Sequence, residues 1–421
     1  MPTKRSLIVL VAALVVISGI LAAVTPASAA DREKVLYAFN GGGEGLSPSA
    51  VIFDAARNLY GTTTSGGNYQ CDRYFGCGTV FKLELGAQGK WNKTILHTFK
   101  GKDGAYPSGL IFGSAGNLFG TTVAGGAKGY GTVFKLALSA DGNWTETVLH
   151  SFNNKDGGLP GSTLIFDATG GLYGTTQTGG THNFGTVFKL TPSTDARWTE
   201  TVLHSFNGKD GNDPTCPLVF DSAGNLYGTT MSGGAKGFGT VFKVAPGANG
   251  SWTEMVLHSF NGEDGDQPFG GLILDRTGNL YGTTVEGGNL NSDTCLDVGC
   301  GVVFKLARDA NGKWTETVLH EFSGWADGFY PEAGLIFDAD GNLYSTTSSG
   351  SNVFKLSPGK DGKWTETVLR AFNGKDGWFP WAGLIFDGSG NLYGTTALGG
   401  KLNNCQNQYG NGCGVVFEIT P

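Results

Sequence analysis

Charged residues are scarce in this chain of 421 residues: they make up 15% of it, against roughly 25% in an average globular protein. The cations are also scattered, and no cluster of Lys and Arg follows residue 31. Without the two basic residues near the N-terminus, 27 basic side chains stand against 36 acidic ones, a net charge of −9. A surface of this sign repels a phosphate backbone, so we expect no nucleic-acid partner.

The short motifs of common catalytic and cofactor sites are missing as well. The sequence has no nucleophile elbow, no phosphate loop and no HExxH zinc motif. We therefore expect no cofactor and no metal, and a binding role is favoured over a catalytic one. An enzyme stays open as an alternative, because a site can also be assembled from single residues that lie far apart in the sequence.

Long helices are the next absence that the composition predicts. The chain has 71 Gly, and each Gly inside a helix costs about 1 kcal/mol relative to Ala. Apolar residues at 39% and aromatic residues at 12% are nevertheless too many for a disordered chain. An all-β protein rich in turns is the class that fits both observations.

The first 30 residues have the pattern of a secretory signal peptide. A basic start precedes an apolar stretch over residues 7–24, and small residues at 27–30 suit cleavage. We expect a mature chain from about Asp31 onward that is secreted or periplasmic, without membrane attachment beyond the signal peptide. An uncleaved N-terminal anchor is the alternative, because the apolar stretch approaches the length of a spanning helix.

A repeat fills the mature chain. The hexamer NLYGTT and its near copies occur seven times, at spacings of 59, 54, 54, 54, 63 and 49 residues. Each unit contains four short runs rich in β-branched and aromatic residues, such as PLVFD (strand a), NLYGTT (b), GTVFKV (c) and SWTEMVLHSF (d), separated by Gly, Asn and Asp. The hexamers begin at Asn58, Asn117, Gly171, Asn225, Asn279, Asn342 and Asn391.

Seven units of four strands predict a seven-bladed β-propeller over residues 31–421, a single domain of the all-β class. The ends of the chain are complementary: residues 35–39, VLYAF, match strand d, whereas the terminal VVFEI matches strand c. We expect the N-terminal strand to complete the last blade, and the protein to be a monomer. A proline precedes strand a in every unit, at Pro48, Pro107, Pro160, Pro214, Pro268, Pro331 and Pro380.

The repeated GLIFDxxGNLYGTTxxGG followed by GTVFKL resembles the GloVer tandem-repeat family, secreted bacterial proteins that combine such repeats with varied C-terminal surface anchors. The resemblance covers nearly all of the mature chain. It implies a propeller-like extracellular protein and no established reaction. This sequence departs from the family pattern because it has no recognisable C-terminal anchor.

The seven cysteines predict three local disulfides and one free thiol. Six of them fall in pairs inside the lengthened b to c loops of blades 1, 5 and 7. Blade 5 is not adjacent to blade 1 or blade 7, so the pairs cannot converge on one zinc ion, and an exported protein favours disulfides. The expected pairs are Cys71 with Cys77, Cys295 with Cys300, and Cys405 with Cys413. Cys216 is left as a buried free thiol.

Histidine and acidic residues recur once per unit. The five VLHSF histidines lie on the outermost strand of their blades, far apart around the rim, and cannot jointly bind a metal. We expect the glutamates of the W-T-E sequence to be exposed near the opposite face. The acids of the d to a loops (Glu44, Asp103, Asp156, Asp210, Asp264, Asp327 and Asp376) suit ordinary turn chemistry, with a ring that binds cations or sugar hydroxyls as the alternative.

The repeat is most irregular around blade 6. Its b to c loop shrinks to residues 348–352 between two long neighbours, which predicts a cleft, and the loops entering blades 6 and 7 are rich in aromatic residues. Aromatic faces with carboxylates suit sugar rings; packing between blades 6 and 7 is the alternative. The candidate ligand-binding residues are Trp325, Phe329, Tyr330, Trp378, Phe379, Trp381, Asp327 and Asp376.

Three functional hypotheses follow from this patch. The first is a secreted propeller that binds an extracellular or envelope ligand, a glycan above all. The second is a polysaccharide lyase or hydrolase that uses Asp327, Glu332 or Asp376. The third is a structural or protein-interaction scaffold without a pocket.

Overall fold

The computed structural model describes residues 33–421 except 72–74, 196, 292, 296, 403–404 and 408–409. The predicted signal peptide therefore lies outside the described residues. Seven four-stranded antiparallel sheets follow one another along the chain and form the seven blades of a β-propeller. Within the described ranges no helix is long and apolar enough to cross a membrane.

Each blade runs from an inner strand a to an outer strand d, as the repeat predicts. The strands of blades 1 to 4 are Leu46–Phe53, Leu59–Ser65, Thr79–Leu85 and Trp91–Thr98; Ala105–Phe112, Leu118–Ala124, Thr132–Leu138 and Trp144–Ser151; Ile165–Phe166, Leu172–Thr176, Thr186–Pro192 and Trp198–Ser205; Val219–Phe220, Leu226–Thr230, Thr240–Pro246 and Trp252–Ser259. Those of blades 5 to 7 are Ile273–Leu274, Leu280–Thr284, Val302–Arg308 and Trp314–Glu321; Ile336–Phe337, Leu343–Thr347, Asn352–Pro358 and Trp364–Ala371; Ile385–Phe386, Leu392–Thr396, Val415–Ile419 and Glu33–Ala38.

Other regular structure is short. A two-stranded ribbon, Gln406–Asn407 with Gly410–Asn411, lies in the b to c loop of blade 7. The described single turns of 3-10 helix are Gly42–Glu44, Ala87–Gly89, Ser114–Gly116 and Ala248–Gly250. Many of the glycines lie in the turns between strands, where they have a positive φ.

The last blade is closed by the N-terminal strand. Glu33–Ala38 pairs antiparallel with Val415–Ile419, so residues from both ends of the chain share one sheet. The predicted closure is confirmed. Strand a remains the inner edge of each sheet, and in five blades it is two residues long; short edge strands are one way in which propellers protect their edges.

The LYG and GTVF segments are repeated because they pack against each other. In blade 4, Phe242 on strand c is fully buried, and a Cβ at Gly228 on strand b would lie 2.6 Å from its Cζ atom. A large side chain at Gly228 would therefore require the Phe242 ring to shift. Tyr173 of blade 3 then packs edge-on against Phe220 and Trp252 of blade 4, which ties the core of one blade to the next.

The two threonines of the hexamer explain why a polar pair is buried at the centre of each blade. The first reaches the inner strand of the next blade: Thr121 Oγ1 donates to Ser162 O at 3.0 Å, and Thr395 Oγ1 donates to Ser49 O at 3.0 Å across the ring closure. The second shares a hydrogen bond with strand c, as between Thr122 and Thr132 at 2.8 Å. These bonds satisfy the buried hydroxyls and fix the register between blades.

Blade 6 keeps this packing despite its irregular sequence. Ser345 replaces the glycine of LYG, is fully buried, and lies within hydrogen-bond distance of the carbonyls of Ala333 and Gly334. Phe354 remains fully buried as in the other blades. The core of blade 6 therefore accommodates the serine and keeps its buried phenylalanine.

The cysteine predictions are confirmed. Each pair forms a disulfide within its own loop, Cys71 with Cys77, Cys295 with Cys300, and Cys405 with Cys413. Cys216 is the free cysteine of the described chain and is buried. It lies between blades, where Thr229 Oγ1 approaches its sulfur at 2.7 Å, and burial raises the pKa of its thiol to about 11.

Candidate functional site

The inner ends of the blades surround a cavity of about 560 Å³ on the propeller axis, which we call the central cavity. The residue that follows each of the seven repeated prolines lines it, so every blade contributes one residue at an equivalent position. That position carries six different residue types in the seven blades. Its occupants are Ser49, Ser108, Gly161, Thr215, Phe269, Glu332 and Trp381.

The residue before each proline has a left-handed backbone. At all seven positions φ lies between 54° and 62°, and none of the seven is Gly. Such a conformation costs about 1–3 kcal/mol for a residue with a side chain and persists where its surroundings enforce it. The seven are Ser47, Tyr106, Leu159, Asp213, Gln267, Tyr330 and Phe379.

The neighbouring blades enforce this conformation. The Tyr330 N–H donates to Cys300 O of blade 5 at 3.0 Å, and the Tyr330 carbonyl accepts a hydrogen bond from the Ser348 N–H of its own blade at 3.1 Å. The same pair of bonds holds Leu159 between Tyr130 and Gln177. Each half-buried side chain is thus held beside its proline at a backbone angle that glycine would adopt more easily.

The lining of the central cavity combines aromatic and polar groups. Tyr106, Phe269 and Trp381 supply rings, Gln177 supplies an amide, and Glu332 supplies a carboxylate. Glu332 Oε1 accepts a hydrogen bond from Ser348 Oγ at 2.9 Å, and burial raises the pKa of its carboxyl group. An apolar concave surface with a few placed polar groups is typical of small-molecule and sugar sites.

A smaller side cavity of about 300 Å³ adjoins the central cavity where blade 7 meets blade 1. Trp381 lines both, and its indole Nε1 lies 3.5 Å from Pro48 O. Phe379, Leu398 and Leu46 add apolar surface to the side cavity. Trp381 therefore separates two concave surfaces and can present a ring face to a ligand in either.

The structure divides the aromatic residues predicted around blade 6. Trp381 and Phe379 line cavities, whereas Trp325 and Trp378 are 71% and 45% exposed and line neither. Phe329 is buried in the core between blades 5 and 6, next to Tyr330. The six residues do not form one continuous patch.

The three candidate acids also separate. Glu332 alone lines the central cavity. Asp327 closes its own loop by accepting hydrogen bonds from the N–H groups of Ser323 and Gly324. Asp376 is 8% exposed, pairs with Arg370, and accepts a hydrogen bond from the Asn373 N–H at 2.8 Å.

The expectation that the W-T-E glutamates are exposed is wrong. The Oε1 atom of each is buried and lacks a hydrogen-bond partner among the described residues. The twist of the blades brings each one against a histidine or a loop acid of the preceding blade, and burial is the first cause that raises their pKa values. The glutamates are Glu146, Glu200, Glu254, Glu316 and Glu366.

Sequence reasoning missed an acidic pair beside blade 5 and the amide of Gln177. Asp266 and Glu286 exchange backbone hydrogen bonds at 2.8 and 3.0 Å. Burial, and then the charge of Glu286, raise the pKa of Asp266 to about 6. Gln267 Nε2 donates to Glu286 at 2.8 Å. Aligning the seven units would have found these residues, because the position two before each proline and the two positions after each hexamer differ from blade to blade.

Solved structures of other proteins share the fold. The extracellular domain of a candidate hybrid two-component system of B. thetaiotaomicron is 13% identical, with 93% of this chain and 41% of that chain covered and a TM-score of 0.53. PorZ, a surface component of the type-IX secretion system of Porphyromonas gingivalis, is 13% identical, with 90% and 46% covered and a TM-score of 0.50. This chain spans less than half the length of either.

A third similar structure is a candidate 6-phosphogluconolactonase of Bacteroides fragilis, 16% identical, with 78% of this chain and 84% of that chain covered and a TM-score of 0.51. At these identities the likeness shows the propeller alone. No curated protein matches the sequence. The model of the Gloeobacter/Verrucomicrobia repeat, however, matches residues 72–296 and 296–421. With most of its length matched, on the repeats that build the blades, the chain belongs to the Gloeobacter/Verrucomicrobia repeat family.

Proposed function

We propose that this propeller acts outside the cytoplasm and binds a glycan in its central cavity. The observation that carries the proposal is the variation at the position after each repeated proline. A nearly uniform repeat places Phe269, Glu332 and Trp381 at equivalent positions where other blades have Ser, Thr or Gly. Residues that maintain the fold are the same in each blade, so residues that differ at one equivalent position suit an asymmetric ligand.

The chemistry of the lining supports a sugar. A pyranose ring has an apolar C–H face that packs on an aromatic ring, and hydroxyls around its edge that need hydrogen-bond partners. Trp381 supplies the aromatic face, and Glu332 and Gln177 supply acceptors and donors. The cavity volume of about 560 Å³ lies in the range of roughly 300–1,000 Å³ that ligand sites occupy.

Two observations support a location outside the cytoplasm. The three disulfides require an oxidising compartment. Two of the similar structures are an extracellular domain and a bacterial surface component. Both facts support a location outside the cytoplasm. Secretion as a free protein is a more specific statement and is part of the proposal.

The test is binding of the purified protein to a glycan array, followed by calorimetry with the best oligosaccharide. We expect Trp381→Ala to weaken binding about five- to 150-fold, because loss of a stacking ring costs about 1–3 kcal/mol. The matched control is Trp325→Ala, which removes an exposed ring that lines no cavity. Equal affinity of Trp381→Ala and the parent protein, or an equal loss in Trp325→Ala, contradicts the proposal.

The same samples separate binding from catalysis. A hydrolase generates new reducing ends and a lyase generates unsaturated products, and Glu332 is the candidate acid on the cavity wall. Binding without either product supports a binding protein. Turnover that disappears in Glu332→Gln, while the oligosaccharide still binds, would replace this proposal with the enzyme hypothesis.

A further inference from the structure

Polar clusters lie between the outer edges of adjacent blades. Each contains the histidine near the end of strand d, the aspartate of the following loop, and the W-T-E glutamate of the next blade; we call this set an inter-blade triad. The triads are His97, Asp103 and Glu146; His150, Asp156 and Glu200; His204, Asp210 and Glu254; His258, Asp264 and Glu316; and His320, Asp327 and Glu366.

Two triads bring three potential ligand atoms together. In the His97 and His204 triads, the imidazole nitrogen and the two carboxylate oxygens all lie within 4.8 Å of one another; these two sets are the ones found among the described residues. His97 Nε2 lies 3.1 Å from Asp103 Oδ2, and His204 Nε2 lies 3.2 Å from Asp210 Oδ2.

The loop and the strand hold these groups in place. The Lys100 N–H donates to Asp103 Oδ1 at 2.7 Å, which leaves Oδ2 directed at the histidine. The His97 ring packs edge-on against Phe99 with centroids 4.7 Å apart. Such support from surrounding groups is what fixes the orientation of ligands around a metal ion.

In each triad, the glutamate has a carboxylate oxygen without a hydrogen-bond partner among the described residues. Glu146 Oε1 and Glu254 Oε1 are buried without a hydrogen-bond partner in the described part of the chain. Burial raises the pKa of both carboxyl groups to about 7. A buried carboxylate oxygen without a partner is costly unless a proton or a cation neutralises it.

The two junctions without histidine supply that positive charge from a side chain. Between blades 6 and 7, Arg370 lies between Asp376 and Glu33, 3.3 Å from the Glu33 carboxylate. Between blades 7 and 1, Lys93 lies 3.6 Å from Glu44. At the first of these junctions Arg370 takes the place of the histidine, and at the second Lys93 takes the place of the glutamate beside Glu44. Among the described residues, the ion pairs of the histidine triads include no Lys or Arg.

We infer that the triads His97, Asp103, Glu146 and His204, Asp210, Glu254 are binding sites for a divalent transition-metal ion of the zinc type, one ion each. One imidazole nitrogen and two carboxylate oxygens suit zinc, whose bonds to such ligands are about 2.0–2.2 Å long. Calcium prefers six to eight oxygen ligands. An ion in this position joins two blades and gives the Glu146 and Glu254 oxygens the partner that they lack among the described residues.

The test counts zinc in the full-length protein, first stripped with a chelator, then equilibrated with micromolar zinc and desalted before elemental analysis. We expect at least two ions per chain. His97→Ala and His204→Ala should each lower the count by one, and Glu254→Gln should weaken the second site at least tenfold. The matched control is His182→Ala, which removes an exposed imidazole from a loop outside any triad.

Circular dichroism of each variant confirms that the blades are intact. Two results overturn the inference: a parent protein that retains no zinc, or an unchanged count in folded His97→Ala and His204→Ala. An equal loss in His182→Ala would assign the zinc to adventitious surface histidines and also overturn it. Calcium in place of zinc should be retained at neither triad.

Discussion

The inner and outer edges of this propeller use the same repeat in opposite ways. At the outer edge, five junctions carry the same histidine, aspartate and glutamate. Arg370 replaces the histidine at the sixth junction, and Tyr37, Glu44 and Lys93 occupy the three positions at the seventh. At the inner edge, seven equivalent positions carry six different residue types. Repetition maintains contacts that every blade needs, whereas variation produces a lining that differs from blade to blade. The comparison fits the proposal that the outer and core positions maintain stability and that the inner positions bind the ligand.

The largest effect should come from a repeated core residue. Phe242→Ala removes a fully buried ring that packs against Phe206 at 5.1 Å, and should lower the free energy of unfolding by about 3–5 kcal/mol. Denaturant unfolding measures this. Phe184→Ala, at a 37% exposed loop position, should change it by less than about 0.5 kcal/mol. Loss of ligand affinity in the folded fraction of Phe242→Ala would contradict the claim that core residues affect stability and not ligand binding.

An intermediate effect should come from the buried glutamates, through pH. Burial, followed by the charge of Asp210, raises the pKa of Glu254 from 4.5 to about 7. The folded state therefore holds a proton that the unfolded state has released, and the stability from this group is lost as the pH rises from about 5 to 8. Glu254→Gln should thus gain about 1–2 kcal/mol relative to the parent protein over this range.

The measurement is urea unfolding of metal-free protein at pH 5, 6, 7 and 8. His204 opposes the trend, because burial lowers its pKa and favours folding as the pH rises; comparison of variant with parent cancels this contribution. Glu263→Gln, in an exposed loop, is the matched control. A pH dependence that is the same in Glu254→Gln and the parent would show that the glutamate is solvated in both states.

The smallest effect should come from the seven residues that precede the repeated prolines and have a left-handed backbone. Leu159 has φ of 55°, so Gly at this position avoids the steric cost that Ala incurs. Leu159→Gly should therefore be more stable than Leu159→Ala by about 1 kcal/mol, the reverse of the usual order in a strand. Thermal unfolding of the pair measures this. The usual order would mean that the backbone at this position relaxes when the side chain is removed.

The architecture could be predicted from the sequence because the unit that forms a blade is repeated seven times. The spacing of NLYGTT, the proline before strand a and the complementary ends predict the blades and their closure, and the loop positions of Cys71 and Cys77 predict a local disulfide. Each of these predictions rests on a pattern that can be read from the repeat itself. The cleft at blade 6 was a weaker inference, because it assumed that a short loop leaves open space.

The site depends on contacts that a single unit does not contain. Trp381 directly follows its repeated proline and lines a cavity, whereas Phe329 lies two residues before its own proline and is buried. The packing of adjacent blades brings Glu146 to His97 of the preceding blade. Strand alternation within a blade cannot predict either placement.

A crystal structure of the protein soaked with the oligosaccharide chosen by the array tests the central claim most directly. We predict a sugar ring in the central cavity, stacked on Trp381 with a hydroxyl within hydrogen-bond distance of Glu332. A sugar bound over Trp325 or Trp378 on the outer surface, with the central cavity filled by water, would contradict the proposal that the variable residues after the repeated prolines bind the sugar.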